Sequence, residues 1–156
     1  MHVHLERSIA APAAVAWQIL GPEFAEIDTW ASFVRTSEAL QVADAPTGMT
    51  VAAGAPVAGR KTKTKATLSE FITAYSPEDM SLTFEAAGLP PIVKRASDVQ
   101  TVRSTGDTTS TLTFEIDFDF LGPFAVLGPV MRRRVEKSIG GTMDDLAAEA
   151  ERRHNT

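Results

Sequence analysis

Residues 111–120 form the segment that most limits how this chain can fold. The sequence TLTFEIDFDF alternates polar and apolar side chains without interruption. Successive side chains of a strand point to opposite faces of a sheet, so the pattern predicts a strand with one buried face and one face in water. The apolar face consists of Leu112, Phe114, Ile116, Phe118 and Phe120. A face of this size needs an apolar partner elsewhere in the chain.

That partner follows directly along the chain. Leu121-Gly122-Pro123 ends the strand, and apolar residues then recur at steps of three or four. They are Phe124, Leu127, Met131, Val135, Ile139, Met143, Leu146 and Ala150. The spacing predicts a long helix with one apolar stripe, which begins near Pro129 because proline is tolerated only at a helix start or a kink. We expect the apolar face of the strand to lie against this stripe from Met131 to Met143.

The remaining sequence predicts a sheet and two further helices. Strands are predicted at 2–10, 33–42, 59–65, 66–75, 80–86, 94–104 and 109–118. Short helices are predicted at 12–20 and 22–30, directly after the first strand. Residues 43–58, rich in alanine, glycine and proline, indicate a mobile loop or an irregular strand. Because the later connections are short, the sheet is expected to be antiparallel, which makes the fold class α+β.

Composition limits the classes of function. A chain of 156 residues with 44% apolar and 22% charged side chains fits one globular domain, residues 1–156. The net charge of −5 disfavours nucleic acid as a partner. No apolar run approaches the roughly 20 residues that span a bilayer, so we expect a cytoplasmic protein with no integral membrane association.

Motifs for catalysis or metal binding are also missing from the sequence. The chain has no cysteine, which excludes disulfides, thiolate metal sites and cysteine nucleophiles. His2 and His4 share one side of the first strand, but two histidines near a chain end make no metal site without carboxylates from elsewhere. There is no G-x-S-x-G elbow, and no serine has an evident histidine partner. We therefore predict no metal and no cofactor, and we name no catalytic residue.

The order of the predicted elements resembles that of a known superfamily. The matching segments are Ile9 to Trp17, Trp30 at the end of the second helix, Gly59-Arg60, Thr67-Leu68-Ser69-Glu70 and the final helix. Together they resemble the START/Bet v 1-like superfamily, particularly the bacterial polyketide cyclase/dehydrase-like (SRPBCC) proteins, over essentially the whole chain. The resemblance implies a helix-grip fold, in which a curved antiparallel sheet of about six to seven strands wraps around a long C-terminal helix. It also implies a hydrophobic cavity between the two.

Two predicted strands have no fully apolar face, which bears on that cavity. In 59–65 the lysines alternate with Arg60, Thr62 and Thr64, and in 94–104 both faces mix polar and small residues. Burying such groups unpaired in a dry core costs about 1–3 kcal/mol each. These segments are therefore either edge strands or strands with one face along a wet cavity. The family resemblance favours the cavity.

Glu70 is a carboxylate on an otherwise apolar strand face. That face consists of Ala66, Leu68, Glu70, Ile72 and Ala74. A carboxylate in such a place must be paired or hydrogen-bonded, or its pKa must rise, and Arg60 and Arg95 are candidate partners. Three interpretations stay open: a buried ion pair that holds the sheet, a group that orients a ligand's hydroxyl or carbonyl, or a general acid or base for enolisation or dehydration.

The densest charge cluster is Arg132-Arg133-Arg134 with Lys137. Consecutive helical residues spread around the helix, so part of the cluster is solvated. It is interpreted either as a solvated face or as a rim that faces an anion, whether a ligand carboxylate or a membrane surface. Of the two tryptophans, Trp17 is predicted to pack in the core and Trp30 to line the cavity.

Gly140-Gly141 interrupts the predicted helix at a cost of about 1 kcal/mol per glycine relative to alanine. Ile139 and Met143 place the inward face of the helix within one position of this pair. We therefore expect a larger side chain at either glycine to project toward the sheet or into the space beneath the helix.

The leading hypothesis is binding or transport of a hydrophobic small molecule, such as a lipid, a polyketide or an aromatic metabolite, between the sheet and the C-terminal helix. A polyketide cyclase, aromatase or dehydratase is an alternative, since positioning alone can drive such chemistry without a strong catalytic motif. A protein-interaction module is a second alternative. The predicted ligand-binding residues are Trp30, Phe33, Arg60, Leu68, Glu70, Ile72, Phe84, Arg95, Phe114, Ile116, Phe118, Met131, Val135, Ile139 and Met143.

Overall fold

The computed structural model describes all residues from Met1 to Thr156. Its strands are β1 (His2–Ile9), β2 (Thr36–Leu40), β3 (Gly59–Lys63), β4 (Thr67–Ser76), β5 (Ser81–Ala87), β6 (Val93–Gly106) and β7 (Thr109–Phe120). The α-helices are α1 (Ala13–Leu20) and α2 (Gly128–His154), and short 3₁₀ helices occupy Phe24–Thr29, Val42–Asp44 and Gly122–Leu127. None of the helices is long and apolar enough to cross a membrane.

All seven strands belong to one curved antiparallel sheet, in the order β1-β7-β6-β5-β4-β3-β2. β2 to β7 are joined in sequence order, whereas α1 and the first 3₁₀ helix carry the chain from β1 at one edge to β2 at the other. The long helix α2 follows the last strand. This arrangement confirms the predicted helix-grip fold.

The main core lies between the inner face of the sheet and the two α-helices. Leu112, Phe114 and Ile116 of β7 are buried in one cluster with Met143 and with residues of α1. The alternation that predicted β7 therefore does place its apolar face toward α2. Phe118, Val135 and Ile139 are half-buried and pack against the same cluster.

Helix α2 is packed unevenly along its length. Its buried residues are Gly140, Thr142, Met143, Leu146 and Ala150, which lie from the middle of the helix toward its C-terminus. No residue before Gly140 is buried, and Met131, part of the predicted stripe, is half-buried outside the core cluster. The last half of α2 thus anchors the helix to the core, while its first half stands further from the sheet.

The second short helix was predicted correctly and forms as a 3₁₀ helix, and residues 43–58 contain no strand, which agrees with the predicted loop. Two other local predictions were wrong. Residues 33–35 precede β2, which pairs only from Thr36. A bulge after Ile72 shifts the register of β4, so Ala74 is exposed and Tyr75 instead turns inward to meet the Trp17 ring, at 5.5 Å between centroids. The extra residue at the bulge exchanges the inward and outward faces of β4 beyond Ile72. The sequence pattern does not reveal the bulge.

Candidate functional site

Between the inner face of the sheet and the middle of α2, at Ser138 to Thr142, lies a cavity of about 220 Å³. A second space of about 160 Å³ adjoins it, since Leu68, Glu70, Phe84, Asp98 and Ile139 line both. Together they form an interior cavity at the point where α2 is not packed against the sheet. Apolar side chains make up much of its wall, and polar groups from β3, β4, β6 and α2 converge on it.

Arg60 and Glu70 form a buried ion pair on this wall. They are direct cross-strand neighbours of β3 and β4, and Nε of Arg60 donates to Oε1 of Glu70 at 3.0 Å. Nη1 of Arg60 donates to the Phe24 carbonyl oxygen at 3.0 Å, and the guanidinium lies 3.9 Å from the centre of the Phe24 ring. Each charge is thereby compensated inside the protein, as buried charges require.

Gly59 fixes the position of this pair. A Cβ atom at Gly59 would overlap the backbone carbonyl oxygen of Glu70, so only glycine allows β3 and β4 to approach so closely here. The neighbouring residue Arg60 then lies directly opposite Glu70. Of the two partners considered for Glu70, the structure places Arg60 in contact. Arg95 points away from the cavity and pairs with Glu85 at 2.6 Å on an exposed part of the sheet.

Asp98 is the most unusual polar group of the cavity. Asp98 is only 5% exposed, and Nε2 of Gln100 donates a hydrogen bond to its Oδ2 at 2.8 Å. Its Oδ1 is buried without any hydrogen-bond partner. Burial raises the pKa of the Asp98 carboxyl from its ordinary value of 3.8 to about 7; the Gln100 hydrogen bond opposes this rise, and the negative charge of Glu70 adds to it. Asp98 therefore titrates near neutral pH, and it lines the cavity with one buried oxygen that has no donor.

Helix α2 contributes the opposite wall. Ser138, Ile139 and Thr142 line the larger space, and the Thr142 hydroxyl donates to the Ser138 carbonyl oxygen at 3.2 Å. Phe33 lines the same space and is 43% exposed, which places it at the opening. The cavity thus has an apolar body, a polar end built on the sheet and an aromatic side chain at its mouth.

The predicted ligand-binding residues fall into two groups. Those that line the cavity are Phe33, Arg60, Leu68, Glu70, Phe84, Phe114, Ile116, Phe118 and Ile139. Those that do not are Trp30, Ile72, Arg95, Met131, Val135 and Met143. Ile72 and Met143 are fully buried in the core, and Trp30 packs between the main cluster and a small one formed by Ile27, Ala31 and Val34. Met131, Val135 and Met143 were predicted from the helix stripe, Trp30 from the family resemblance, Ile72 from the strand face of Glu70 and Arg95 as a partner of Glu70. None of these criteria distinguishes a core or surface contact from a cavity wall.

Sequence reasoning missed Asp98 and Gln100. The alternation Ala96-Asp98-Gln100-Val102 on one face of β6 was the available signal, because all four are buried. However, the opposite face also carries both polar and apolar residues, so the inward face could not be chosen without the register. Pairing of Asp98 with Phe84 and Ile116, both buried, settles that choice in the structure.

The expectation held for Gly140, which faces the sheet, but was wrong for Gly141, and neither glycine faces the cavity. A Cβ atom at Gly140 would meet the guanidinium of Arg7 on β1, at 2.8 Å from Nη2, rather than the cavity. Gly141 is exposed, and a Cβ atom there would meet nothing within 4 Å. Cavity-facing positions of α2 are instead Ser138, Ile139 and Thr142. Ile139 and Gly140 are neighbours in sequence, but one step along an α-helix turns the side chain by about 100°, so the two residues face different parts of the structure.

The chain matches a known protein family over nearly its whole length. A family model described as "Polyketide cyclase / dehydrase and lipid transport" matches residues 1–151. The chain therefore belongs to this family, within the START/Bet v 1-like proteins that its sequence resembles. No curated protein matches the chain.

Solved structures share the fold at low sequence identity. The Zhui aromatase/cyclase from Streptomyces sp. R1128 is 18% identical, with a TM-score of 0.73 over 98% of this chain and 94% of that one. Norcoclaurine synthase from Thalictrum flavum, solved as a point mutant with a transition-state analogue, is 13% identical, with a TM-score of 0.74 over 100% and 96%. A START superfamily protein from Mycobacterium smegmatis is 15% identical, with a TM-score of 0.67 over 99% and 97%. At these identities the likeness establishes the fold alone.

The buried Asp98 carboxyl gives a pH-dependent test of this geometry. Its pKa is higher in the folded protein than in the unfolded chain, so between about pH 4 and 7 the folded state retains a proton that the unfolded chain has lost. Raising the pH through this window should therefore destabilise the wild type relative to Asp98→Asn, by roughly 1 kcal/mol per pH unit, and the difference should level off above it. Urea unfolding of both proteins across this range measures the difference.

Asp107→Asn is the matched control, because Asp107 is exposed in the turn between β6 and β7. Its unfolding free energy should follow that of the wild type at every pH. Parallel pH curves for the wild type and Asp98→Asn would show that Asp98 is solvated in the folded protein.

Proposed function

We propose that the protein, acting as one domain of residues 1–156, binds a small and mainly apolar molecule in the cavity between the sheet and α2. Apolar walls with a few convergent polar groups are what a small-molecule pocket requires. The family description, which includes lipid transport and polyketide cyclisation, supports the same class of ligand.

The unpartnered Oδ1 of Asp98 is the observation on which this proposal depends. An acceptor buried without a donor costs about 1–3 kcal/mol, and native interiors rarely leave one. Arg60 is already engaged by Glu70 and Phe24, and Gln100 reaches only Oδ2. When the Asp98 carboxyl rotates toward the cavity that it lines, a ligand with a hydroxyl or amine group can donate to Oδ1. The proposed ligand therefore has an apolar body and at least one hydrogen-bond donor.

The size of the cavity narrows the ligand further. Its two spaces, of about 220 and 160 Å³, together lie near the lower end of the range of about 300–1,000 Å³ typical of ligand pockets. Phe84 and Phe114 supply aromatic faces on the sheet side. A compact aromatic or polycyclic molecule fits this space better than a lipid with two long acyl chains.

The proposed ligand contacts combine the predicted residues that line the cavity with those found only in the structure. They are Phe33, Arg60, Leu68, Glu70, Phe84, Phe114, Ile116, Phe118 and Ile139, together with Thr62, Asp98, Gln100, Ser138 and Thr142. We propose that Ile72, Val135 and Met143 shape the cavity from behind rather than contact the ligand.

Filling the cavity from α2 tests the proposal. Thr142→Leu places a larger apolar side chain in the cavity, and the lost hydroxyl donates only to a carbonyl of its own helix. The wild type should bind the apolar fluorescent amine N-phenyl-1-naphthylamine, and Thr142→Leu should bind it at least about tenfold more weakly, with little change in melting temperature. Fluorescence titration and thermal unfolding measure both properties.

Gly141→Leu is the control, since this neighbouring position of the same helix faces open space. It should bind the probe like the wild type. Ser138→Leu, at an exposed position on the cavity rim, repeats the test if Thr142→Leu does not fold. Failure of the wild type to bind the probe, or an equal loss in the cavity and control variants, would falsify the proposal.

A second candidate function is acid–base catalysis, and Asp98 is the observation that favours it. A general acid or base works best when its pKa lies near the operating pH, and the pKa of the Asp98 carboxyl is raised to about 7. As a carboxylate, Asp98 can take a proton from the carbon beside a ketone, and the electron pair moves onto the carbonyl oxygen to give an enolate. Arg60 lines the same cavity, and its Nη2, which neither Glu70 nor Phe24 engages, can donate a hydrogen bond to that oxygen. Enolisation of this kind is the first step of an aldol cyclisation.

Deuterium exchange into a ketone separates this candidate from simple binding. In heavy water, the wild type should accelerate exchange at the carbon beside the carbonyl of α-tetralone, with a rate that rises with pH and levels off above about pH 7. Asp98→Asn should lose this acceleration while still binding N-phenyl-1-naphthylamine. Mass spectrometry of the ketone measures the exchange rate. If the wild type exchanges only at the buffer rate, or if Asp98→Asn exchanges as fast as the wild type, Asp98 is not an acid–base catalyst and simple binding is the function.

A further inference from the structure

Exposed apolar side chains are concentrated in one segment of the surface. Of the seven large apolar residues that are exposed, five lie between residues 121 and 130, where β7 leads through a 3₁₀ helix into α2. They are Leu121, Phe124, Val126, Leu127 and Val130, and we call them the apolar tip. Val126 is 79% exposed and Val130 is 58% exposed. A contiguous group of exposed apolar side chains commonly marks a surface that binds a protein, a ligand or a membrane.

The loop between β5 and β6 lies beside the apolar tip. The backbone amide of Leu121 donates to the Ile92 carbonyl oxygen at 3.0 Å, which holds the two segments together. The loop contains Leu89-Pro90-Pro91, and both prolines are exposed. The apolar surface therefore extends across two neighbouring segments at one end of the molecule.

A cluster of basic side chains directly follows the apolar tip. Arg132, Arg133, Arg134 and Lys137 occupy the first turns of α2, and all four are exposed. Arg133 and Arg134 have no ion-pair partner, and the one partner of Arg132 is Glu136 at 4.0 Å. Most of this positive charge is therefore free to meet an external anion.

The charge of this end is opposite to that of the rest of the protein. Residues 121–137 contain four basic and one acidic side chain, a net charge of +3 within a chain of −5, so the remainder carries −8. An anionic surface would attract this end and repel the rest, which fixes one orientation. A second copy of the chain in a symmetric dimer would bring two such positive ends together, and repulsion disfavours that arrangement.

We propose that residues 121–137, with the adjoining loop at 88–92, dock peripherally onto a membrane that contains anionic lipids. The apolar tip inserts at the boundary between headgroups and acyl chains, and the arginines bind lipid phosphates and carboxylates, as in other interfacial amphipathic segments. Phe118 lines both the interior cavity and the open groove beside Arg132 and Arg133. Docking in this orientation therefore places one end of the cavity at the membrane surface.

Vesicle co-sedimentation tests the proposal on the intact protein. The wild type should bind vesicles of phosphatidylcholine with about 30% phosphatidylserine at least tenfold more strongly than vesicles of phosphatidylcholine alone, and added salt should weaken this binding. The double variant Arg133→Glu/Arg134→Glu should bind the anionic vesicles about tenfold or more weakly, because it replaces two positive charges that attract anionic lipids with negative ones. Phe124→Asp/Val126→Asp should also lose vesicle binding, because charged aspartates have no apolar surface to bury and prevent insertion of the apolar tip.

Two exposed positions outside the docking end serve as matched controls. Arg103→Glu reverses an exposed charge on β6, and Val42→Asp replaces an exposed apolar side chain that is 69% accessible. Both should bind anionic vesicles like the wild type, apart from the small effect of net charge. The proposal is wrong if the wild type does not bind anionic vesicles, if it binds both vesicle types equally, or if the controls and the docking variants lose binding alike. It is also wrong if light scattering shows a dimer that Phe124→Asp/Val126→Asp dissociates.

Discussion

The packing of α2 on the sheet determines the rest of this structure. One helix covers the inner face of the sheet, yet only its second half, through Met143, Leu146 and Ala150, is buried in the core. Close packing of these side chains with β1 and α1 fixes the direction of the helix axis. The first half then continues along this axis at a distance from the curved sheet. The interior cavity and the exposed segment before α2 both result from this uneven packing.

The polar groups inside the cavity are satisfied to different degrees. Arg60 and Glu70 face each other across two paired strands, and their charges are compensated by each other and by Phe24. A compensated pair of this kind supports the sheet and is costly to break, since removing one partner leaves a buried charge. Asp98 has only Gln100, and one oxygen remains without a donor. The proposed binding function and the acid–base alternative both depend on this difference between the two carboxylates.

The sequence predicted those features that depend on local periodicity. The strand predicted at 109–118, observed as β7, and the helix after it were evident because their apolar residues repeat at the period of each element. The pairing of Glu70 with Arg60 was within reach because β3 and β4 are consecutive strands. The role of Asp98 could not be predicted from the sequence, because both faces of β6 carry polar groups. Only the register of β6 with β5 and β7 shows which face is the inner one. The bulge in β4 and the direction of Gly140 likewise depend on tertiary contacts that no local pattern encodes.

A crystal structure determined under xenon pressure tests the central claim, an open cavity with Asp98 on its wall, most directly. Xenon enters apolar cavities of this size without a specific ligand chemistry. We expect xenon against Phe84 and Ile139 between the sheet and α2, and a water or ligand atom within hydrogen-bond distance of Asp98 Oδ1. A structure in which the first half of α2 lies against β6 and β7, with no xenon between them and Asp98 paired to a protein donor, would contradict it.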